Sequence, residues 1–397
     1  MSQAMQVAIG YSARADALRA GREAAQRARA GLSSSGAQFA LVFGSSWFQQ
    51  EPLLQGIREV FHDVPFIGGS TAGEIVADGP VSHSCVVVLI ASDELKWSIG
   101  VGKDVDTGPR KAGQTAAYAA AQRFRSQPRV GFLLFGDGLA TGYAEVMRGI
   151  QEVLGTSSLI AGGMTGDDLR FSKTYQYADG RVMSRAVVGA LLSGPAKMGV
   201  GIQHGFAPIG KPRRVSRAKA NVLFELDGRP AASVYEEYFG HEIVERMRVE
   251  GWTRQGSAYP LGIQCDTNDQ WLLRNVQSVQ ADSSLLCSGE VPEEAWLQLM
   301  IGSKQFALDA AYRAAQQAIQ PLNRVALVLV FDSVLRRKLL GTQHAALEIA
   351  RIRQAVGFST PLAGCYTYGE QGPLGNTAVY GRTAVQTGSV LVIALGS

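Results

Sequence analysis

Apolar runs recur along the chain and are separated by amphipathic stretches and glycine-rich turns. Three of these runs, at residues 39–43, 130–135 and 325–331, end in phenylalanine, and each is followed by a segment of helical periodicity and a second apolar run. Continuous apolar strands are typical of sheets covered on both faces, and the 3.6-residue period of the intervening segments predicts helices packed on them. The pattern therefore predicts an α/β fold built from strand-helix-strand modules.

The loop that follows the second strand of each module has a recurring composition. The first and third loops read Gly-x-x-Thr-x-Gly-Glu, at residues 68–74 and 364–370, and the second loop, at 162–167, is one residue shorter and ends in Asp167. The last phenylalanine of the first strand precedes the acidic residue by 31, 32 and 39 residues. This agreement in order and spacing indicates an internal repeat. A third apolar run closes each copy, and we expect it to pair beside the others after a hairpin.

Length and charge narrow the class of protein. A chain of 397 residues exceeds what one hydrophobic core usually serves, so we expect two lobes with largely buried, mixed or parallel sheets. The net charge of +4 is mild, and the basic run at 211–219 lacks interleaved aromatic residues, which argues against a nucleic-acid partner. No apolar run is long enough to insert into a membrane, and no secretory signal is recognisable, so we expect a cytoplasmic protein.

Polar residues at the strand ends are the candidate ligand-binding residues. Ligands of open α/β sheets bind beyond the carboxyl ends of parallel strands, where glycines allow close approach and hydroxyls and carboxylates suit a small amine or amino acid. The candidates are Gly44, Ser45, Thr71, Gly73, Glu74, Gly136, Asp137, Thr165, Asp167, Asp332, Thr367 and Glu370. The same residue types also form sharp turns and bond loop amides, and both interpretations stay open at this point.

Residues 39–74, 201–210 and 225–231 resemble the FIST family of sensory proteins. The resemblance implies an N-terminal domain over residues 1–222, a C-terminal domain over 223–397, and a role in sensing small molecules such as amino acids. Members occur near histidine kinases and cyclic-di-GMP enzymes. Because the two domains take up the chain, we expect its output to pass through a separate partner of one of these types, and we expect a homodimer.

The resemblance extends to nitric-oxide-sensing haem proteins of bacteria, which implies haem b as a cofactor and a diatomic gas as the ligand. Haem iron commonly has a histidine axial ligand in an apolar pocket. His241, in an aromatic-rich helical segment, is the first candidate for the iron ligand, and His204 is the second. A lone histidine is more often a structural residue, so a haem-free sensor of small molecules is the leading hypothesis.

A carboxylate-dependent enzyme is the competing hypothesis. Glu74, Asp137, Asp167 and Glu370 could form an acid–base pair if two lobes face each other. The sequence has no Gly-x-Ser-x-Gly elbow, Walker A loop or His-Glu-x-x-His helix, so no nucleophile or metal is indicated. The sequence therefore favours a sensor over an enzyme.

Overall fold

Three modules of the same construction follow one another along the chain. The computed structural model describes residues 5–32, 36–93, 95–124, 127–250, 259–265, 271–374 and 383–397. The elements of module 1 are β1 (Gln6–Ser12), α1 (Ala17–Ala30), β2 (Phe39–Ser45), α2 (Gln50–Arg58), β3 (Phe66–Thr71), β4 (Glu74–Val76), β5 (Gly79–Val81) and β6 (Cys85–Ala91). Those of module 2 are β7 (Lys96–Lys103), α3 (Pro109–Ala121), a 3₁₀ turn (Gln122–Phe124), β8 (Arg129–Gly136), α4 (Tyr143–Leu154), β9 (Ile160–Met164), β10 (Gln176–Ala178), β11 (Arg181–Met183) and β12 (Ala186–Ser193).

Module 3 is interrupted after its first strand, β13 (Lys197–Gln203), by an insertion. The elements of this inserted sheet region are β14 (Phe206–Lys219), β15 (Val222–Leu226), β16 (Arg229–Pro230), α5 (Ser233–Phe239), α6 (His241–Glu250), β17 (Leu261–Gln264), β18 (Trp271–Arg274), β19 (Val276–Val279), β20 (Leu285–Cys287) and β21 (Trp296–Gly302). Module 3 then continues with α7 (Lys304–Ile319), β22 (Val325–Ser333), α8 (Val334–Val356), β23 (Leu362–Thr367), β24 (Glu370–Pro373), β25 (Thr383–Gln386) and β26 (Val390–Gly396).

Each module forms a six-stranded mixed sheet, and the three sheets share one strand order. The orders are β1-β6-β2-β3-β10-β11, β7-β12-β8-β9-β24-β25 and β13-β26-β22-β23-β4-β5. The two central strands that follow one another along the chain are parallel in every sheet, and their neighbours are antiparallel. Every sheet is completed by the hairpin of another module. This cyclic exchange ties the three modules into one body.

Three phenylalanines meet at the centre of this body. The ring centroids of Phe43, Phe135 and Phe331 lie 5.9 Å (43 to 135), 6.1 Å (43 to 331) and 5.6 Å (135 to 331) apart. They are the phenylalanines that end the first apolar run of each repeat, so the repeat in the sequence corresponds to a pseudo-threefold axis. Around them, the inner faces of the three sheets share one apolar core.

A pair of helices covers the outer face of each sheet, and small residues allow a close approach. A Cβ atom on Gly10, Gly100 or Gly201, each in the edge strand of its sheet, would lie 1.8–2.2 Å from a backbone oxygen of the covering helix. The facing surfaces of α1, α3 and α7 are accordingly rich in buried alanine. Each edge strand and its helix therefore pack backbone against backbone.

The inserted sheet forms a second lobe with its own apolar core, which includes Val215, Tyr235 and Leu299. The prediction of an α/β fold of two lobes built from repeated modules with buried mixed sheets is confirmed. The domain boundary at residue 222 stays a prediction; it falls at the first residue of β15. Among the described residues, no helix is both long enough and apolar enough to span a membrane.

Candidate functional site

The threonine and glutamate of the third loop hold strand ends together inside the protein. Thr367 Oγ1 and Glu370 Oε1 lie 2.6 Å apart, and the amide of Ser389 donates to Glu370 Oε2 at 3.2 Å. Thr367 also bonds the carbonyl oxygen of Asp332 at 3.3 Å. A hydroxyl has one hydrogen, so Glu370 supplies the proton of the 2.6 Å contact when Thr367 donates to the carbonyl. Burial raises the pKa of Glu370 to about 8, which makes a protonated carboxyl the form present at neutral pH.

The first loop repeats this arrangement. Thr71 bonds Glu74 Oε1, and the amide and hydroxyl of Ser84 donate to Glu74 Oε2 at 3.1 and 2.5 Å. Both Thr71 and Glu74 are buried, and burial raises the pKa of Glu74 to about 8. The two glutamates therefore have matching partners and matching protonation.

In the second module a glutamine has this role. Gln176 Nε2 donates to Thr165 Oγ1 at 2.8 Å, and Thr165 Oγ1 donates to the carbonyl of Gly136 at 2.9 Å. The amide of Ala186 donates to Gln176 Oε1 at 3.1 Å. A glutamine amide thus makes the bonds that a protonated glutamate makes in the other two modules.

The structural counterpart of the two glutamates is Gln176, whereas the loop spacing in the sequence aligns Asp167 with them. Gln176 begins strand β10, as Glu74 begins β4 and Glu370 begins β24. The segment at 166–175 places several extra residues between the threonine and this strand. Spacing alone does not show that residues 166–175 are an insertion, so it aligns Asp167 with the two glutamates.

Asp167 organises that extra loop. Its carboxylate accepts the amides of Phe171 at 2.9 Å, Ser172 at 2.6 Å and Lys173 at 2.9 Å, and it also accepts the hydroxyl of Tyr368. Burial by itself would raise the pKa of Asp167, but the hydrogen bonds from Tyr368 and the three amides lower it. Asp167 is consequently an ionised, fully bonded carboxylate within its own loop.

The other strand-end candidates are also bonded to protein groups. Asp137 Oδ1 accepts the hydroxyl of Thr174 at 2.8 Å, and its Oδ2 accepts the amide of Arg185 at 2.8 Å. Ser45 donates its hydroxyl to Asp168 Oδ2 at 2.8 Å. These contacts brace the loops of modules 1 and 2, and Asp137 and Ser45 are both buried.

The first glycine of each loop motif has a packing role. A Cβ atom on Gly68, Gly162 or Gly364 would lie 1.9 to 2.0 Å from a carbonyl oxygen of the neighbouring parallel strand. No side chain fits there. Gly44, Gly73 and Gly136 likewise abut side chains of neighbouring segments. The repeated motif therefore has a structural explanation in every module.

Asp332 belongs to a buried ion cluster. The guanidinium of Arg336 donates to Asp332 Oδ1 at 3.0 Å, to Glu348, and to the carbonyls of His204 and Ala307 at 2.6 and 2.8 Å. Asp332 and Glu348 each have one oxygen without a hydrogen-bond partner. Burial, and then the neighbouring Glu348 carboxylate, raise the pKa of Asp332 well above its usual range. One cation thus serves two buried carboxyl groups.

A cavity of about 970 Å³ lies beyond the carboxyl ends of β8, β9 and β22, between modules 2 and 3 and the inserted sheet. Its size is at the upper end of ligand pockets in proteins. Apolar side chains cover much of its wall: Leu139, Tyr143, Met147, Met164, Phe171, Leu272, Val334, Leu335, Tyr368 and Val385. The position matches the crevice in which open α/β sheets bind ligands.

The deepest charged group on the wall is Arg274, at the end of β18 and 6% exposed. Its guanidinium donates to the carbonyls of Glu290 at 2.7 Å, Leu273 at 2.8 Å and Val385 at 3.4 Å. Burial lowers the pKa of Arg274 to about 10, so the side chain remains a cation at neutral pH. The last of these bonds joins the inserted sheet to module 3.

Asn275, next to Arg274, also joins the two lobes. Its Nδ2 donates to Thr387 Oγ1 at 3.0 Å, and Thr387 Oγ1 lies 3.2 Å from the hydroxyl of Ser288. Asn275 is buried and lines the cavity, and its Oδ1 has no hydrogen-bond partner. The floor of the cavity is therefore a polar seam between the lobes.

Arginine–glutamate pairs surround the more exposed part of the cavity. Arg148 donates to Glu290 at 2.6 and 3.1 Å, and Arg110 is paired with Glu152. Arg148 joins α4 to the segment after β20, so this ion pair also bridges the two lobes. Both arginines are exposed, and ion pairs of this kind contribute little to stability.

None of the chain's five histidines is among the lining residues of this cavity. His241 is exposed on α6 and contacts Glu236 Oε1 through Nδ1 at 2.8 Å. His204 is half-buried; its Nδ1 accepts the amide of Phe206 at 3.0 Å, and burial and then Arg336 lower its pKa to about 4. An accepting Nδ1 leaves the proton on Nε2, the nitrogen that would bind iron. The histidines therefore do not fit a haem in this cavity.

Cys287, the cysteine on the cavity wall, does not supply a thiolate for iron either. It is buried, and burial raises the pKa of its thiol to about 12. Among the described residues, no group of three or more His, Cys, Asp and Glu side chains could hold a metal ion. The haem hypothesis therefore rests on the family resemblance.

The strand-end residues lie at the edge of the sheets where the cavity is found, but they are not part of its wall. None of the twelve predicted ligand-binding residues lines the cavity, whereas their sequence neighbours Gly138, Met164, Ser333 and Tyr368 do. Arg274 and Asn275 were not predicted. The sequence feature that could have indicated Arg274 is its position as a charged residue directly after the apolar positions 271–273.

The fold and the cavity define a repeat α/β protein with a ligand-sized pocket between two lobes. The family model for the FIST N domain matches residues 38–229, and the model for the FIST C domain matches residues 231–373. The chain therefore belongs to the FIST family, whose domains sense small ligands in signalling proteins.

The chain is similar to two proteins that are described as uncharacterised. A protein of Mycobacterium tuberculosis is 26% identical over 399 residues, which cover 96% of this chain and 98% of that protein. A protein of Methanocaldococcus jannaschii is 25% identical over 281 residues, 66% of this chain and 53% of that protein, so the match spans about half of the archaeal protein.

Among solved structures, the chain is similar to a cyanuric acid hydrolase from A. caulinodans, with a TM-score of 0.41 and 10% identity over 99% of this chain and 100% of the hydrolase. A second cyanuric acid hydrolase structure has a TM-score of 0.36 and 9% identity over 99% of this chain and 100% of its own. These likenesses are too distant to indicate an activity of this chain.

Proposed function

We propose that this chain senses a small organic molecule that binds in the cavity between the inserted sheet and modules 2 and 3. The observation that carries the proposal is the wall itself. It places a buried cation, an amide with an unpaired oxygen and a large apolar surface at the carboxyl ends of the strands, in a family of ligand-sensing domains. The strand-end loops serve as the frame that shapes this cavity.

The position of the cavity supports a signalling role. Arg274 bonds Val385, and Asn275 bonds Thr387, so the two lobes meet on the cavity floor. A ligand that contacts both lobes stabilises the arrangement that fits it and shifts the population of the protein toward that arrangement. The change in the relative position of the lobes would be the output.

The recipient of this signal is proposed to be a separate protein, either a histidine kinase or a cyclic-di-GMP enzyme, in the cytoplasm. The family membership supports the class of partner. Haem-mediated gas sensing has no support from the histidines. Its test is a Soret absorption band in haem-reconstituted protein that is lost in His204→Ala or His241→Ala.

Thermal unfolding in the presence of small acids, amines and amino acids tests the proposed ligand site. A ligand at a hundredfold excess over its Kd stabilises the native state by about 2.7 kcal/mol. Ala144 lines the cavity from α4, so Ala144→Trp should fill part of it and abolish the stabilisation.

Ala119→Trp, on the exposed face of α3, is the matched control and should bind like the parent protein. Stabilisation that persists in Ala144→Trp would place the ligand elsewhere and overturn the proposal.

A further inference from the structure

Arg274 is a buried cation without a carboxylate partner. No carboxylate oxygen of the described residues lies within ion-pair distance of its guanidinium, and the carboxylate of Glu290 is bonded to Arg148 instead. Three backbone carbonyls accept from Arg274, but carbonyl dipoles offset only part of a full charge. Burying a charge without an opposite charge is costly, so the site is electrostatically incomplete without an anion.

Arg274 lines the cavity, and one nitrogen of its guanidinium is free of protein acceptors. Arg274 Nη2 makes no hydrogen bond with a described residue, although Nε and Nη1 are both bonded. Gly289 packs beside it, and a Cβ at that position would lie 3.1 Å from Arg274 Nε. The backbone therefore holds Nε and Nη1 and leaves Nη2 without a protein acceptor.

Other polar atoms of the wall are also unpaired. Tyr143 Oη, Gln151 Nε2 and Asn275 Oδ1 are buried, belong to lining residues and have no hydrogen-bond partners. The Tyr143 hydroxyl and the Gln151 amide nitrogen are donors that suit an oxygen acceptor, whereas Asn275 Oδ1 is itself an acceptor. Unpaired buried polar groups are rare in native proteins, and a carboxylate bound in the cavity would supply an acceptor for the two unpaired donors, Tyr143 Oη and Gln151 Nε2.

The rest of the cavity wall indicates the chemistry of the uncharged part of the ligand. Three arginines and two glutamates line the cavity, and four of these five side chains are paired with each other at its more exposed part. The rest of the wall is largely apolar. A ligand that matches this wall has one anionic group and an apolar body.

We propose that the cavity binds an organic carboxylate, with its carboxylate on Arg274 and its apolar body against Met147, Met164 and Tyr368; this inference rests on the proposed function of the same cavity. The carboxylate would accept a charge-assisted hydrogen bond from Nη2, the guanidinium nitrogen that has no protein acceptor. A phosphate dianion would require a second unpaired cation, and the described lining residues offer one such cation, Arg274.

A charge series on the full chain tests the inference. The probes are phenylacetate, its neutral analogue phenylacetamide, the cation phenethylamine, and inorganic phosphate, with Kd measured by calorimetry. Phenylacetate should bind at least about tenfold more tightly than phenylacetamide, as expected for a hydrogen-bonded charge pair. Equal binding of phenylacetate and phenylacetamide, tighter binding of phenethylamine, or no binding of phenylacetate would overturn the inference.

Two variants locate the charge. Arg274→Lys keeps the cation but loses the planar fork, and Arg274→Met loses the cation. Phenylacetate affinity should fall about tenfold or more in Arg274→Met and less in Arg274→Lys, while Arg217→Gln, on the exposed part of the inserted sheet, should match the parent protein. If Arg274→Met does not fold, the probe series on the parent protein and Arg274→Lys still decides the question.

The outcomes separate this inference from the proposed function. Binding of phenylacetate and phenylacetamide with equal affinity, lost in Ala144→Trp, would refute the carboxylate assignment and keep the cavity as the ligand site. Binding of phenylacetate that survives Ala144→Trp would refute both. Inorganic phosphate that competes fully with phenylacetate would replace the carboxylate by a general anion and so overturn the assignment.

Discussion

Converting Glu370 to glutamine should stabilise the protein at neutral pH. Gln176 is a natural glutamine at the equivalent position of module 2, and its side chain makes the hydrogen bonds that a protonated glutamate makes in the other modules. Glu370 must take up a proton from water to make the same bonds in the folded state. In the Glu370→Gln variant the side-chain amide donates this hydrogen bond, and no proton has to be taken up on folding.

The magnitude follows from the pKa. Burial raises the pKa of Glu370 from 4.5 to about 8, so between these pH values the folded state holds a proton that the unfolded chain lacks. The stability of the parent protein then falls as pH rises through this window, by about 1.4 kcal/mol for each unit. At pH 7 the gain of Glu370→Gln should be about 3 kcal/mol, and below pH 4.5 it should vanish.

Urea unfolding followed by circular dichroism at pH 4.5, 6, 7 and 8 measures this difference in unfolding free energy. Glu51→Gln, on the exposed first turn of α2, is the control for the loss of one negative charge. A gain in Glu370→Gln that does not grow with pH, or a loss of stability at pH 7, would show that Glu370 is ionised in the folded protein and refute the reasoning.

Three further predictions concern the frame of the cavity. Phe135→Ala should lower the unfolding free energy by about 3–5 kcal/mol in urea titrations, because it empties one third of the central aromatic contact. Gly162→Ala should reduce the yield of folded protein, since its Cβ would lie 2.0 Å from the Leu134 carbonyl oxygen, whereas Gly36→Ala meets nothing within 4 Å and should be neutral in thermal melts. Arg336→Met should cost about 3–5 kcal/mol by leaving two buried carboxyl groups without a cation, and a melting temperature equal to that of the parent would contradict this.

The hydrophobic pattern of the sequence predicted the helices and strands within each module. Apolar strands such as 325–331 and the amphipathic segments between them specify which elements form, because burial depends on the pattern of side chains along one element. The recurring phenylalanines Phe43, Phe135 and Phe331 indicated three equivalent units before any contact was known. The exchange of hairpins between the modules was not predicted, since strand pairing between distant segments is decided by the whole fold.

The same distinction between local pattern and tertiary packing applies to the candidate site. The order of residues along the chain already places hydroxyl and carboxylate residues directly after the apolar strands, and therefore at the carboxyl ends of those strands. Packing in three dimensions sets the inward orientation of Thr71 and Glu74 and the hydrogen bond between them. It also decided that Arg274, from a segment inserted far away in sequence, lies unpaired on the wall of a cavity at that edge. Burial and pairing of charge are properties of the packed molecule, and no local pattern of residues contains them.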